Sequence, residues 1–537
     1  MRDIEIPYEN ERGRRYRFFE ILPGAISWLI IFLPLILSLI SPTLGVFFVL
    51  GYLLLWVSKA IGLNVRSIQG FRMMSRHMQL PWTAMLEELS KGEIPADDER
   101  PEWHQKNIDS FRARSGIGSL TADNIRHAVV IAAYNESREI LEPTIRSVID
   151  SDYDTSKIIL VLAYEERGGR DIKKTAQDLV SEYGEVFQHA MAVEHPAGQP
   201  GEVIGKGGNI TYAARKLETY LQKEHIDPLH TIVTTLDSDN RPHTSYFSAL
   251  TYVYMICPDP KTVSIQPIPI FTSNIWDAPA LMRVIATGNS FWNIVQSLRP
   301  HMIRNFSSHA QSMQALIDTD YWSVRTIVED GHQFWRTYFR YDGKHDVIPL
   351  HVPIYQDAVL SSTFKKTVKA QFLQLRRWAW GASDVAYVAE VGFFRPNKVP
   401  RRDLIAKFMR LLEGHISWAT APLLLAFAAF VPLLVNPDSY VSNQLPFVVS
   451  RVQTVALTGI FITMFLSFKA LPAKPARYKR RRTFFMVFQW VLLPFTTVVF
   501  FSFSALYSQT RLILGRYLGN FDVTDKAVVT SDKKRIM

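Results

Sequence analysis

Residues 127–136 read HAVVIAAYNE, and residues 231–240 read TIVTTLDSDN. In both, a run of β-branched and small apolar residues stops abruptly at polar and acidic side chains. An apolar run without alternation is the mark of a strand buried on both faces rather than one. Two further runs have the same character, KIILVLAY (157–164) and TVSIQPI (262–268). Helical patterns over 138–150 and 171–183 separate them. Strands alternating with helices predict a parallel sheet covered on both faces.

Ligands of such sheets lie at the carboxyl ends of the strands, so the polar residues just past each strand matter most. After the first come Tyr134-Asn135-Glu136, after the second Glu165-Glu166-Arg167-Gly168-Gly169, and at the third Asp237-Ser238-Asp239-Asn240. Each alone has an ordinary reading, because Asn, Asp and Gly are common turn formers. Acidic clusters at three successive strand ends are harder to explain by turns, and they suit a hard divalent cation carrying a phosphorylated ligand.

The flanks of this region are of another kind. The chain has 537 residues and a net charge of +10, with 47% hydrophobic and 20% charged residues. That is too apolar for disorder. Its one cysteine, Cys257, excludes a disulfide framework, a cysteine zinc site and an iron–sulfur cluster. No charge occurs between Glu20 and Lys59. One helix over that run would reach roughly 57 Å, nearly twice the ~30 Å hydrocarbon core. Ser41-Pro42-Thr43 supplies the break, giving a hairpin with spans at 22–40 and 44–58. Arg12, Arg14, Arg15 and Arg17 before it, and Lys59, Arg66, Arg72 and Arg76 after it, put both ends in the cytosol. Near the other end, 416–437 and 452–468 are uncharged, and the loop 438–450 has no Lys or Arg. The basic KALPAKPARYKRRR follows, so a second hairpin returns to the cytosol. A last apolar run, 483–510, contains Pro494 and has positive charge on both flanks. On charge alone it reads equally as a crossing or as an interfacial or re-entrant helix.

Within the middle region, Thr326-Ile327-Val328-Glu329-Asp330-Gly331 holds another acidic pair, and Gln374-Leu375-Arg376-Arg377-Trp378 lies in a basic, aromatic helical stretch. Asp330 reads otherwise as a helix-capping acid. The second stretch reads otherwise as an amphipathic helix on a lipid surface.

The order Asn-Glu after the first strand, Asp-x-Asp, Glu-Asp and then Gln-x-x-Arg-Trp, over roughly residues 127–380, resembles the membrane-embedded family 2 glycosyltransferases, such as the synthases of cellulose, hyaluronan and chitin. The tail adds Phe521-Asp522-Val523-Thr524-Asp525-Lys526, similar to the Phe-x-Val-Thr-x-Lys gating loop of bacterial cellulose synthase. The resemblance implies a GT-A-like α/β domain, with a Rossmann-like parallel sheet, inserted on the cytosolic side between transmembrane hairpins. It divides the chain into an N-terminal segment 1–20, a hairpin 21–59, a catalytic domain 60–400, an interface helix and hairpin 401–470, a basic loop and last apolar run 471–510, and a tail 511–537. A gating loop that reaches the active site puts this tail in the cytosol. The 483–510 run is then interfacial or re-entrant, and the crossings number four.

Carried over by residue, the resemblance gives Ala133, Tyr134, Asn135, Glu136, Glu165 and Glu166 to the nucleoside, and Asp237 and Asp239 to a diphosphate through Mg²⁺ or Mn²⁺. Lys206, in GKGGN (205–209), matches a stretch near the nucleotide. Asp330 is the general base on the acceptor hydroxyl, with Glu329 beside it. Gln374 and Arg377 bind the diphosphate, and Trp378 stacks on the acceptor sugar. Phe521, Val523, Thr524 and Lys526 close over the nucleotide. Two departures stand out: Glu165-Glu166-Arg167 replaces the usual Asp-Asp-Gly, and Val328 replaces the Thr of Thr-Glu-Asp.

The implied partners are a nucleotide-diphosphate sugar, a glycan or lipid-linked acceptor and the bilayer of the plasma or inner membrane, with no nucleic acid and with room for a homo-oligomer or an accessory export subunit. The implied activity is processive extrusion of a β-linked polysaccharide. A transferase adding one sugar to a lipid-linked or short acceptor is the alternative within enzymes. A membrane transporter or scaffold is the alternative outside them, and it leaves the strand-end acids without a role.

Overall fold

The computed structural model describes residues 4–95, 99–114, 120–519 and 526–527. Phe521, Val523 and Thr524 lie outside these residues. The strands are β1 (Arg126–Ala133), β2 (Ile158–Glu165), β3 (His189–His195), β4 (Thr231–Asp237), β5 (Arg241–Pro242), β6 (Val263–Ile270), β7 (Ala310–Ser312) and β8 (Asp346–Tyr355). They form one sheet in the order β3-β2-β1-β4-β7-β6-β8-β5.

The expectation of a parallel sheet holds for β1, β2, β4 and β6, the four runs read from the sequence, which point the same way together with β3 and β8. It is corrected at β7 and β5, which run antiparallel to their neighbours. β3, β2, β1 and β4 are mutually parallel, with Val130 opposite both Val161 and Thr235. β7 runs antiparallel to β4 on one side and to β6 on the other. The sheet is therefore mixed. A three-residue strand needs only a loop to enter and leave, and its reversed direction separates β6, the expected TVSIQPI strand, from the parallel block.

Alternation along each strand assigns the two faces. Val129, Ile131, Leu160 and Leu162 pack with Leu141, Ile145, Ile172 and Leu179 from the helices Arg138–Ile149 and Arg170–Tyr183. Val130, Ile159 and Val161 pack with Ile210, Ala214, Leu217 and Leu221 from the helix Lys206–Lys223. Both faces are covered, which is why the strand sequences are continuously apolar. Each fully buried Leu, Ile or Val contributes about 1.5–3 kcal/mol.

Among the described residues, four helices are long and apolar enough to cross a membrane: Arg14–Ile40, Pro42–His77, Tyr440–Lys469 and Arg481–Ile513. The break at Ser41-Pro42 is as read from the sequence, with Ser41 extended and Pro42 in the first turn of the next helix. That helix does not stop at residue 58. It continues past Lys59 to His77, and Met74 near its end packs on Ile268 and Ile270 of β6. The 416–437 run, expected as a crossing, is divided between the helices Arg401–Phe427 and Phe430–Val435. Its residues Leu424, Ala428 and Ala429 pack on Val46, Val49 and Leu53 of the first hairpin.

The last apolar run touches the sheet domain along its length. Near its start Arg482 donates to the Trp276 carbonyl, and Gln489 accepts from Arg283 Nε at 2.7 Å. Met486 and Phe500 pack with Trp276, Met282 and Leu375. Ser508 Oγ donates to the Arg376 carbonyl at 2.7 Å. Its outward side is apolar, with Phe485 63% and Val491 81% exposed.

Replacement of Leu160 by Ala, in the middle of the core, should cost about 2–5 kcal/mol. Leu44→Ala, on the exposed apolar surface, should cost less than about 0.5 kcal/mol. Thermal unfolding of the detergent-solubilised protein measures both, and equal losses would show that the sheet is not the stabilising core.

Candidate active site

The carboxyl ends of β1, β2 and β4 lie side by side, with Ala133 opposite Tyr164 and Ala132 opposite Asp237. The start of the helix Lys206–Lys223 is pinned between β1 and β2 by Asn209, whose amide donates to the carbonyls of Ala133 (3.3 Å) and Ala163 (3.1 Å). Glu136 braces the turn after β1. It accepts from the Tyr134 N–H at 2.7 Å and from Ser238 Oγ at 3.1 Å, joining that turn to the end of β4. Asn135 is exposed. Glu165 is paired with Arg167, whose guanidinium covers the Tyr134 ring at 5.3 Å. Burial pushes the Glu165 carboxyl up and Arg167 opposes the shift. Glu166 accepts from the Ala197 N–H at 2.8 Å. A Cβ on Gly168 would fall 1.6 Å from the Tyr134 carbonyl oxygen, so only glycine lets the two loops approach.

Around the end of β4 the charges alternate. Lys206 Nζ lies 2.6 Å from Asp237 Oδ1 and donates to the Ser307 carbonyl at 3.2 Å. Lys526 Nζ lies 2.7 Å from Asp239 Oδ1 and 2.5 Å from Ser238 Oγ. Burial would raise the Asp237 carboxyl, but Lys206 and then Lys526 outweigh it and hold it below the usual range. Burial likewise opposes charge on Lys526, and Asp239 with Glu136 holds its ammonium above the usual lysine range.

Asp357 was not read from the sequence. Its backbone N–H donates to Asp239 Oδ2 at 3.1 Å. Its Oδ1 is buried with no hydrogen-bond partner among the described residues, and burial and then Asp239 push its carboxyl well above the usual range. The acid follows directly on β8, so the strand-end argument would have found it had β8 been recognised.

Glu329 and Asp330 open the helix Glu329–Arg340. Glu329 is 2% exposed, and its Oε2 has no hydrogen-bond partner among the described residues. Burial first and then Asp330 push Glu329 up, while burial pushes Asp330 up against the charge of Lys206. Two acids so placed share their protons, and one is readily ionised while the other stays neutral. A Cβ on Gly207 would meet the Ser323 carbonyl at 2.5 Å and Glu329 Cβ at 3.2 Å. The glycine therefore lets Lys206 come up to the acid pair.

Gln374, Arg377 and Trp378 lie on the helix Phe364–Ala379. The Arg377 charge favours the ionised forms of Asp237, Glu329 and Asp330, against the burial that raises the last two. Gln374 Oε1 accepts from Gln371 Nε2 at 3.0 Å. Trp378 lies 6.2 Å from Phe271 at 45°, partly buried in an apolar cluster with Ile275 and Trp276. Trp380, not singled out in the sequence, packs with Ile327, Val328 and Leu512 directly before the acid pair.

The oxygen donors fit a hard divalent cation. Asp239 and Asp357 share a hydrogen bond, and the partnerless Asp357 Oδ1 is an acceptor in need of one. Among the described residues, no three His, Cys, Asp or Glu side chains close a metal shell by themselves. Mg²⁺ or Mn²⁺ held by one or two of these carboxylates would complete its shell with a ligand's phosphates and water.

The raised pKa of Glu329 sets a stability slope. A carboxyl whose folded pKa lies above its unfolded one holds more protons when folded, so stability falls as pH rises from the ordinary carboxylate range through the raised value. Glu329→Gln should flatten this fall and raise the melting temperature at neutral pH. Melting curves from pH 4 to pH 8 test this, and an unchanged slope would mean that Glu329 titrates normally.

No protein-family model and no curated protein matches the chain. Among solved structures, the chain is similar to a mannosyltransferase of Pyrobaculum calidifontis in complex with GDP-Man and Mn²⁺. The identity is 14% and the TM-score 0.40, over 81% of this chain and 99% of that one. It is also similar to residues 1–349 of TarS from S. aureus, with 10% identity and a TM-score of 0.34 over 66% of this chain and 94% of that one. The same TarS fragment in complex with UDP gives 10% identity and a TM-score of 0.35 over 75% and 95%.

Proposed function

We propose that the protein is an integral-membrane, inverting glycosyltransferase of the family 2, GT-A type that transfers sugar from a nucleotide-diphosphate donor to a growing β-linked polysaccharide. The observation that carries this reading is the meeting, at the carboxyl ends of parallel strands, of Asp237 and Asp239 with Lys206, Arg377, Lys526 and the buried pair Glu329–Asp330. Lys206 reaches Asp237 at 2.6 Å and Lys526 reaches Asp239 at 2.7 Å. A proton acceptor, with cations placed where charge develops on the leaving diphosphate, suits such a transfer.

In this reading the acceptor hydroxyl gives its proton to Asp330 as its oxygen bonds the anomeric carbon. The bond from that carbon to the diphosphate oxygen breaks on the opposite face. The electron pair stays on the diphosphate, and Lys206, Arg377 and Lys526 meet the charge that develops there. Asp330 then releases the proton to water. Glu329, pushed further toward its neutral form, keeps a second negative charge out of the pocket. A divalent Mg²⁺ or Mn²⁺ held by Asp237 and Asp239, with Asp357 alongside, would offset diphosphate charge. Tyr134, Asn135, Glu165 and Glu166 border the nucleoside end, Gln374 lies with Arg377 toward the diphosphate, and Trp378 takes the acceptor sugar.

The catalytic domain, residues 60–400, faces the cytosol at the plasma or inner membrane, between the hairpins 21–59 and 401–470. The tail 511–537 lies on the same side. The contact of Lys526 with Asp239 supports that placement, as do the contacts of 481–513 with the domain at both ends. The 471–510 segment then lies at the interface, and the loop 521–526 closes over bound donor.

The purified protein, incubated with labelled UDP- and GDP-sugars, should yield a polymer detectable by mass analysis, and EDTA should abolish it with recovery on adding Mg²⁺ or Mn²⁺. Absence of transfer from every donor would overturn the reading, and only single additions at every substrate ratio would overturn the polymer part.

Asp330→Asn keeps shape but cannot accept a proton, so kcat should fall by roughly 10²–10⁴ with little change in donor binding. Because burial raises Asp330, activity of the unaltered enzyme should be lost as pH falls through a value above the ordinary carboxylate range. A variant with near-normal turnover would remove Asp330 from this role.

A further inference from the structure

The helices Pro42–His77 and Gly459–Lys469 line a groove of about 590 Å³, within the ~300–1,000 Å³ of ligand clefts. Its walls include Phe71, Phe461 and Phe465, and its lining carries Arg72, Arg76 and Lys469 with no acidic residue. Phe461 is 64% and Phe465 59% exposed. Arg72 and Arg76 are one helical turn apart, on the same side of their helix. Among the described residues neither has a carboxylate partner, and the Lys469 ammonium lies 4.9 Å from the centroid of the Phe465 ring.

Arg72, Arg76 and Lys469 are exposed, so the groove offers positive charge beside exposed aromatic rings, a surface complementary to a molecule with an anionic head and an apolar tail. The groove lies at the C-terminal end of Tyr440–Lys469, a helix long and apolar enough to cross a membrane, beside the part of Pro42–His77 that follows its uncharged run. Basic pockets between membrane helices at that level suit acidic headgroups.

We propose that the groove seats one anionic phospholipid, with its phosphate on Arg72, Arg76 and Lys469 and its acyl chains along Phe71, Phe461 and Phe465. The floor of the groove is the cluster of Met74, Ile268, Ile270 and Leu466. The lipid therefore clasps the two helices over the strand β6, which runs beside β8 to the loop carrying Asp357. This inference does not depend on the reaction assigned to the site.

The test uses the full chain in detergent, equilibrated with equal amounts of phosphatidylglycerol and phosphatidylcholine, and counts retained lipid by native mass spectrometry. Retention of phosphatidylglycerol over phosphatidylcholine is expected. The combined variant Arg72→Gln, Arg76→Gln and Lys469→Gln should lose it by about tenfold or more. Lys174→Gln, Lys344→Gln and Lys398→Gln together remove the same charge from the exposed surface of the sheet domain and should retain it. Phe461→Ala with Phe465→Ala should weaken retention as well. Should the Gln variant fail to fold, photoactivatable phosphatidylglycerol on the unaltered protein should label peptides covering 71–76 or 461–469. Equal retention of the two lipids, equal retention by the Gln and control variants, retention undiminished by loss of the two rings, or labelling confined elsewhere would each overturn the proposal.

Discussion

The ammonium of Lys206 is the charge on which the site depends. It lies against Asp237 at 2.6 Å, and Asp237, Glu329 and Asp330 together hold it in its protonated form against burial. Two unit charges 4 Å apart interact by about 4 kcal/mol at an effective dielectric of 20, so three acids gathered without a cation would repel one another or take up protons. Breaking a buried pair by removing one partner costs about 3–5 kcal/mol. Lys206 therefore decides both that the acids can be brought together and which of them is ionised. Asp237, in direct contact, is driven down; Glu329 is driven up by burial and then by Asp330.

The backbone that delivers Lys206 is as constrained as the charge. Gly207 leaves no room for a side chain against Ser323 and Glu329, and a Cβ on Gly208 would meet Glu202 Oε2 at 2.6 Å. Asn209 ties the same turn to β1 and β2. The stretch GKGGN thus has a separate steric or hydrogen-bonding reason at four consecutive positions, where its sequence offers only a resemblance to a stretch near the nucleotide. Its stiffness comes from close approach.

The parallel half of the sheet was legible because β1, β2 and β4 are buried on both faces and their sequences are correspondingly uninterrupted. β8 was not, since Pro349 and Pro353 break up its sequence and several of its residues are only partly buried. With β8 went Asp357, although the rule that found Asp237 and Asp239 applies to it unchanged. β7 has three residues and no pattern to detect, so the antiparallel insertion was invisible too. Helix breaks in the apolar segments followed proline and glycine chemistry closely at Ser41-Pro42. The extent of Pro42–His77 did not follow charge, because a helix continues through Lys59 at little cost once its far end packs on a protein surface.

That packing bears on how membrane and site act on each other. Ile327 and Val328, directly before the acid pair, rest on Trp380 and on Leu512 of the last apolar helix. The Leu512 and Ile513 carbonyls in turn accept from Arg17 at 3.1 and 3.2 Å, and Trp28 donates to Thr510 at 3.0 Å, both from the first membrane helix. On the opposite side of the Glu329–Arg340 helix, Glu5 binds Arg336 at 2.6 Å and also accepts from Ser323, whose carbonyl faces Gly207. The acid pair is thus held between the chain's two ends. Two contacts, Arg17 on Leu512 and Leu512 on Val328, link the helix Arg14–Ile40 to the start of the acid-pair helix, whereas Asp237 ends β4 and Asp239 lies in the turn after it. The site is divided in this way between acids carried by the sheet and an acid pair packed against the long apolar helices.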